Sequence, residues 1–435
     1  MLNQNGIKHY LKWSFCFLSE GLTKRRTVLL FIIGFLISCG VNFSKPLLVG
    51  SNHNFKTIQS ALSSAKDGDT IFVYSGVYVE NTILVNKAVK IIGINRPILS
   101  GDNKHEIMKI KSDNVLVRGF LFRDTGLNFI YDNAAIKLDS VKYCTIEENK
   151  FINNFFGIYL SRASNCIVIN NELEAFQTKE TYSGNGIHLW QCREMTIKNN
   201  KIKGHRDGIY FEFVKRSEIE GNSSQSNLRY GLHFMFSDSC RYYNNYFTKN
   251  GAGVAVMFTK NVDMSNNIFE YNWGGAAYGL LLKDISDSKI LRNQFIKNTC
   301  AIYFEGCNRV TTLENNFLEN GTAIRLMANS MDNLFTKNNF IGNSFDVNTN
   351  STKSYNTFES NYWSEYKGYD LNKDGIGDIP FRPVKLFSFI IEQNRPALIL
   401  MRSLFVDILN VAENIFPSLT PKTLMDSKPK MTKYL

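Results

Sequence analysis

Proline is scarce, eight in 435 residues, and charged residues make up only 20% of the chain against 44% hydrophobic. That balance excludes a disordered, charge-dense or Pro-rich polymer and leaves enough apolar side chain for an extended core. The net charge is +11, yet no Lys/Arg run is interleaved with aromatics, so nucleic acid is not an expected partner. No CxxC pair occurs, which removes the common thiolate metal sites. No apolar run is long enough to span a bilayer comfortably.

The most concentrated apolar stretch is "KRRTVLLFIIGFLISCG", three basic residues followed by about a dozen apolar ones that end at Cys39. This is the pattern of a secretory signal, and "LISC" resembles a bacterial lipobox, which makes Cys39 a candidate for lipidation. Residues 1–39 are therefore expected to be an extension plus an export signal. Six further cysteines stand at 144, 166, 192, 240, 300 and 307. Cys144 and Cys166 lie one repeat apart; they are expected to stack as buried thiols, with a disulfide also within geometric reach.

Internal periodicity organises the rest of the chain. "AAIKL", "FGIYL", "NGIHLW", "DGIYFEF", "YGLHFMF", "AGVAVMF", "YGLLLKD", "CAIYFEG" and "TAIRLMA" recur at intervals of 22 to 29 residues, most often 22. A second motif keeps phase with them: "ENKF", "NNEL", "NNKI", "NNYF", "NNIF", "RNQF", "NNFL", "NNFI". An apolar period of two excludes an α-solenoid. About 22 residues fit one rung of a right-handed parallel β-helix, in which strands stack about 4.8 Å apart. Ile158, Ile187, Ile209, Leu232, Val254, Leu280, Ile302 and Ile324 should form one inward ladder. Asn suits the corners because it tolerates left-handed backbone. Extra residues at roughly 174–183 and 271–276 should leave one face as loops.

The expected fold is thus all-β, with the solenoid over residues 46–365. Its open first end is expected to be capped by a short helix at "IQSALSSA". An Asp/Gly loop follows at 366–383, then a helical segment at 384–416 and a polar tail at 417–435. Within the helical segment an amphipathic helix is expected at about 397–416, with Leu398, Met401, Phe405, Ile408 and Leu409 on one face as partner-binding candidates.

Alternation then assigns the surface. With Ile187 and Leu189 inward, one outward column should run Tyr159, His188, Tyr210, His233, Ala255, and the next Ser161, Trp190, Glu212, Met235, Met257, Lys283. Met235 and Met257 become rung neighbours, with His233 about 7 Å along one strand. Two thioethers and an imidazole are a soft ligand set that favours Cu(I) over Zn, Mg or Ca, with His188 and Glu212 of the same two columns as further metal candidates. The plainer reading, in which the methionines pack against a covering loop or a partner, stands beside it. His205, in "GHRDG", is either a second-site ligand or a corner residue. Parallel β-helices that cleave polysaccharides need acids clustered on adjacent rungs. Here Glu212 lies between Trp190 and Met235, Glu305 between Lys283 and Met327, and Asp207 at a corner, so an enzyme is not expected. In "DLNKDGIGD", Asp370, Asn372, Asp374 and Asp378 occupy positions 1, 3, 5 and 9 of a Ca2+ loop, but position 12 is Phe381 rather than Glu. A structural Ca2+ is expected there, with an ion-free Asx turn as the alternative.

The ordered set "TIQSALSSAKDGDTIFVYSGVYVEN", "GHRDGIYFEF", "RYGLHFMFSDS", "NGAGVAVMF", "AAYGLLLKDISDSKI", "GNSFDV" and "YDLNKDGIGDIPFRPV" resembles the NosD-type maturation proteins of nitrous oxide reductase, over about 46–425. The resemblance implies a non-catalytic periplasmic protein. It would dock on an inner-membrane ABC transporter, accept transient Cu(I) from a copper chaperone lipoprotein and deliver it to apo nitrous oxide reductase. The family pattern is kept at His205, Asp207, Glu212, His233, Met235 and Met257, while the N-terminal extension departs from it. A carbohydrate-processing β-helix, lyase or hydrolase, and a purely structural assembly scaffold are the competing readings.

Overall fold

The computed structural model describes residues 46–435 apart from 128–131, 177, 402 and 417–418; the export segment with Cys39 lies outside the described residues. The described chain winds into a right-handed parallel β-helix of about 14 turns. Three parallel sheets of 14, 12 and 13 strands run its length. Most strands are three residues long, because a single residue in the left-handed region ends each one: Asn170, Asn199, Asn244 and Asn266 have φ of 56°, 52°, 56° and 54°. Asn fills such corners at little steric cost.

The Asn that follows each such corner residue does something else. Asn171, Asn200, Asn222, Asn245, Asn267, Asn293, Asn315, Asn338 and Asn361 are buried, and each Oδ1 accepts the backbone N–H of the Asn one rung before. Their Nδ2 groups donate to carbonyls of neighbouring rungs, as Asn245 does to Ile219 at 3.0 Å. A second ladder runs through Asn227, Asn250, Asn272, Asn298, Asn320 and Asn343. These amides satisfy the corner donors that no strand can pair.

The inward ladder from Ile158 to Ile324 is fully buried, and the register pairs its members directly. An aromatic stack continues beside it, Phe247, Phe269, Phe295, Phe317, Phe340 and Trp363, with ring centroids 5.5, 4.6, 5.1, 4.8 and 4.1 Å apart. Each such ring contributes about 2–3 kcal/mol from burial alone. The six cysteines are free and buried, with the Cys144 N–H 3.4 Å from Cys166 Sγ. The thiol ladder, and not the disulfide, is what forms.

Helix α1, Ile58–Ser64, closes the first end. Thr57 Oγ1 accepts from Ser60 N at 3.1 Å, and the Glu80 carboxylate takes the N–H groups of Ile58 and Gln59 at 2.7 and 3.0 Å. At the other terminus the Lys87 ammonium donates to the carbonyls of Leu62, Ser63 and Ala65. Opposite charges thus meet the two ends of the helix dipole.

The far end differs from expectation. Two α-helices form there, α2 at Leu386–Gln393 and α3 at Leu404–Ile415, separated by a 3-10 turn at Arg395–Leu400. The single helix expected from 397 starts later because Pro396 opens the tight turn instead. Phe345 of the last long strand packs with Phe387, Ile391 and Val406, so both helices are anchored on the solenoid. The segment expected as a polar tail is also structural. Asp426 and Lys430 bridge in parallel to Phe358 and Tyr362, and Tyr434 exchanges backbone bonds with the Asn339 side chain at 2.9 and 3.1 Å. Asp426 ends the first Asn ladder by accepting from Asn361 N, Asn361 Nδ2 and Trp363 Nε1.

Candidate metal centre

The 12-stranded sheet carries both outward columns. Its register reads Tyr159, His188, Tyr210, His233, Ala255, Leu281 along one and Ser161, Trp190, Glu212, Met235, Met257, Lys283 along the other. Met235 and Met257 are direct partners on adjacent strands, both half-buried. Strand stacking holds their Cα atoms about 4.8 Å apart. Glu212 borders the pair on one side and Lys283 on the other, with the Lys283 ammonium drawn to Glu305 at 3.7 Å.

His233 is only 3% exposed, and among the described residues neither ring nitrogen has a hydrogen-bond partner. Its ring lies between Tyr210 and Tyr230, at centroid distances of 4.8 and 4.7 Å. The Asp207 carboxylate sits 3.6 Å from His233 Nδ1, with Arg229 Nε at 3.6 Å and Arg206 Nε at 4.0 Å. Asp207 is 1% exposed, and its charge is met by the two guanidinium groups although neither oxygen has a hydrogen bond among the described residues. A buried imidazole whose ring nitrogens both lack a hydrogen bond is costly unless something binds it. Asp207 was visible in the sequence only as a corner acid. It reaches His233 because it pairs with Tyr230, three residues before the imidazole on the next strand.

The other two histidines are differently placed. His188 stacks between Tyr159 and Tyr210 at 4.5 and 4.8 Å, and its Nδ1 lies 3.1 Å from Asn185 Nδ2. Burial, reinforced by the Arg206 and Lys137 charges, pushes this imidazole down to about 3, so it is neutral at physiological pH. His205 belongs to neither outward column. It occupies the first slot of the second Asn ladder, its N–H donating to Asn227 Oδ1 at 3.1 Å, and its fully buried ring leaves both nitrogens without partners. Burial lowers it to about 4. Of the sequence candidates, Met235, Met257, His233 and Glu212 share one patch of sheet; His205 is a corner residue.

The Asp/Gly loop uses its own acids. Asp370 accepts from Asp374 N and Gly375 N at 3.2 and 2.8 Å, Asp374 from Ile376 N at 2.7 Å, Asn372 from Asp374 N at 3.1 Å, and Asp378 from Leu371 N at 2.7 Å. Gly375 supplies the left-handed turn at φ +81°, and Met431 N donates to its carbonyl at 3.1 Å. The loop is an Asx-rich turn tied to the end cap, and Ca2+ finds no support in it. Among the partner-binding candidates, Met401 and Leu409 turn inward onto the Phe345 cluster, whereas Leu398, Phe405 and Ile408 are 47, 50 and 57% exposed. The face expected to be continuous is therefore split. A different outer stripe exists on α3: Leu404, Ile408, Val411 and Ile415, exposed by 74, 57, 56 and 63%. Among the described residues, no helix is long and apolar enough to cross a membrane.

Comparison with known proteins places this face in context. Residues 172–368, which hold every rung of the candidate centre, match the family model described as "Periplasmic copper-binding protein (NosD)". A curated relative from Stutzerimonas stutzeri, "Probable ABC transporter binding protein NosD", is 26% identical over 355 residues, covering 77% of this chain and 80% of its own. One of the same name from Pseudomonas aeruginosa is 26% identical over 361 residues, with 77% and 81% covered. Among solved structures, the Family 28 exopolygalacturonase of Yersinia enterocolitica aligns with a TM-score of 0.55 at 11% identity, covering 75% of this chain and 79% of that one. The periplasmic alginate epimerase AlgG aligns at 0.51 and 13%, covering 67% and 76%. At those identities the structures share the β-helix and nothing more is carried over. Family match, relatives aligned over most of their length and the order of the rung motifs agree: the chain is a parallel β-helix protein similar to the NosD type.

Proposed function

We propose that the protein works in the periplasm as an accessory to copper-site assembly, holding Cu(I) transiently as cargo. It would take the ion from a copper chaperone lipoprotein and, with an inner-membrane ABC transporter, pass it to apo nitrous oxide reductase. The observation that carries this reading is the pairing of Met235 with Met257 on adjacent strands, beside an imidazole, His233, that is buried without a hydrogen-bond partner. Thioether and imidazole suit a soft monovalent ion. Asp207, 3.6 Å from Nδ1, is placed to take that N–H and leave Nε2 as the donor, as carboxylates do behind metal-binding imidazoles. The methionines are half-buried, so an incoming ligand can reach the ion from outside, as cargo requires. The relatives' printed name, a probable ABC transporter binding protein, supports the transporter as partner. The outer stripe of α3 is the surface we assign to it, and Cys39, if lipidated, would add a membrane tether.

A polysaccharide enzyme is disfavoured on chemistry. The outward columns do not stack carboxylates on neighbouring rungs: Glu212 is bordered by Trp190 and Met235, and Glu305 by Lys283. The test is Met235→Leu with Met257→Leu, which keeps volume at outward positions and removes both sulfurs. Cu(I) affinity, measured against a chromophoric Cu(I) chelator, should fall at least a hundredfold, and reductase matured in cells carrying the variant should be copper-poor at equal variant abundance. His233→Ala should give a partial form of the same defect. Unchanged copper loading in the double variant would favour a structural scaffold and refute the assignment.

A further inference from the structure

Each residue that follows the second outward column turns a corner in the left-handed region. Along the helix these are Ser140, Arg162, Gln191, Phe213, Phe236, Phe258, Asp284 and Gly306, with φ between 51° and 67° throughout. Five of the eight are polar or Gly, as such corners favour. The three phenylalanines are not, although other corners also hold aromatic residues, Tyr143 and Tyr271, in the same region. Phe213, Phe236 and Phe258 are 44, 41 and 41% exposed. What sets them apart is that they stack on one another, at 5.2 and 5.1 Å with interplanar angles of 9° and 17°. The result is a rigid apolar ridge three rungs long, confined to the rungs of Glu212, Met235 and Met257, each Phe following one of those residues directly in the chain.

We propose that this ridge is the docking surface for a protein that carries Cu(I) on its own soft ligands and exchanges it at Met235 and Met257. The inference rests on the copper reading above. A protein that brings an ion to the methionine pair must also cover the residues adjoining it, and a stacked, preorganised aromatic ridge loses little side-chain entropy when covered. A small Cu(I) complex would need no such surface. A lipid bilayer is a poorer occupant: rings more than half covered are too shallow to enter below headgroups, and the residues two positions after Gln191, Phe213, Phe236 and Phe258, namely Arg193, Lys215, Asp238 and Lys260, mix the two signs along neighbouring rungs.

The test replaces all three rings by Asn, which the corner geometry accepts: Phe213→Asn, Phe236→Asn and Phe258→Asn in the full chain. Melting temperature and affinity for Cu(I) against a chelator should stay within twofold-equivalent limits of wild type, as should the rate of loading from Cu(I)-glutathione. The second-order rate of transfer from a Cu(I)-loaded periplasmic copper chaperone should fall at least tenfold. If the triple variant folds poorly, Phe236→Asn alone, at the centre of the ridge, carries the same readouts with a smaller loss. Unimpaired transfer from the chaperone overturns the docking surface alone. Equal slowing with Cu(I)-glutathione assigns the ridge to the ion site and also overturns it, as does loss of binding to anionic phosphatidylglycerol vesicles. Wild-type protein that takes Cu(I) from neither donor would instead refute the copper reading on which the inference stands.

Discussion

Removing the carboxylate of Asp426 should unzip the last rungs of the solenoid. The side chain is fully buried, and every hydrogen bond it makes is accepted: Oδ1 takes Ser360 N and Lys428 N at 3.1 and 3.0 Å, while Oδ2 takes Asn361 N, Asn361 Nδ2 and Trp363 Nε1 at 3.0, 3.1 and 3.0 Å. Asp426→Ala strands two buried donors, Asn361 N and Trp363 Nε1; Asn361 Nδ2 keeps the Phe335 carbonyl at 2.9 Å, and Ser360 and Lys428 can turn to water. At about 1–1.5 kcal/mol for each stranded donor, the cost is about 2–3 kcal/mol. Asp426→Asn is the sharper probe. An amide offers one acceptor oxygen where the site needs two and points an NH2 group at donors, so it should cost nearly as much although volume is unchanged. Because a repeat array unfolds locally, the loss should appear as faster amide exchange over residues 335–363 with little change near residues 200–250. An Asp426→Asn protein with wild-type exchange at those last rungs would refute the idea that an acceptor-only side chain terminates the ladder.

Burial pushes the Asp346 carboxyl up to about 6, above its unfolded value near 4, so the folded state holds the extra proton between those limits. Stability should therefore fall as pH rises from about 4 to about 6, by roughly 2–3 kcal/mol in total, and Asp346→Asn, which keeps the acceptor for Asn343 Nδ2 at 3.2 Å, should abolish that slope in urea titrations. Asp370→Ala should lower the melting temperature equally in calcium and in chelator, since the loss is of two backbone bonds; a deficit seen only with calcium would restore an ion to the loop. Replacing Leu404, Ile408, Val411 and Ile415 of α3 with Gln should change stability by no more than about 0.5 kcal/mol, as outward positions do, while co-purification with the ABC transporter drops; wild-type yield would remove α3 from that interface.

The solenoid was legible because its chemistry repeats. Ile and Leu at a period of two, and Asn at about 22, are demanded by every rung, so the inward ladder and both outward columns could be placed by counting. Departures from the repeat were harder to read. His205 stands 22 residues before Asn227 and 45 before Asn250, so its Asn-ladder slot was present in the spacing but hidden by the different side chain. Asp426 lies 65 residues beyond Asn361, and no period connects them. In "HFMF", strict alternation sends Phe236 inward with Phe234. The strand ends at Met235, and the left-handed corner turns Phe236 out to solvent, so the ridge is invisible to a rule that assumes the strand continues.

The same ladders that make the fold readable also make the face bearing Met235 and Met257 stiff. Corner Asn amides bond each rung to the next at close to 3.0 Å on both sides of the rungs bearing Met235 and Met257, through Asn222, Asn245 and Asn267 in one ladder and Asn227, Asn250 and Asn272 in the other. A one-residue slip would break every such bond at once and reverse the facing of each strand. The backbone therefore fixes the Cα atoms of Met235 and Met257, while the three side-chain torsions of each methionine leave the sulfurs free to adjust. On the copper reading proposed above, an ion between two such rungs would be positioned by fixed strands, reached from outside and never enclosed. A site that must surrender its cargo needs that combination, and a closed tetrahedral cage inside the coil would defeat it.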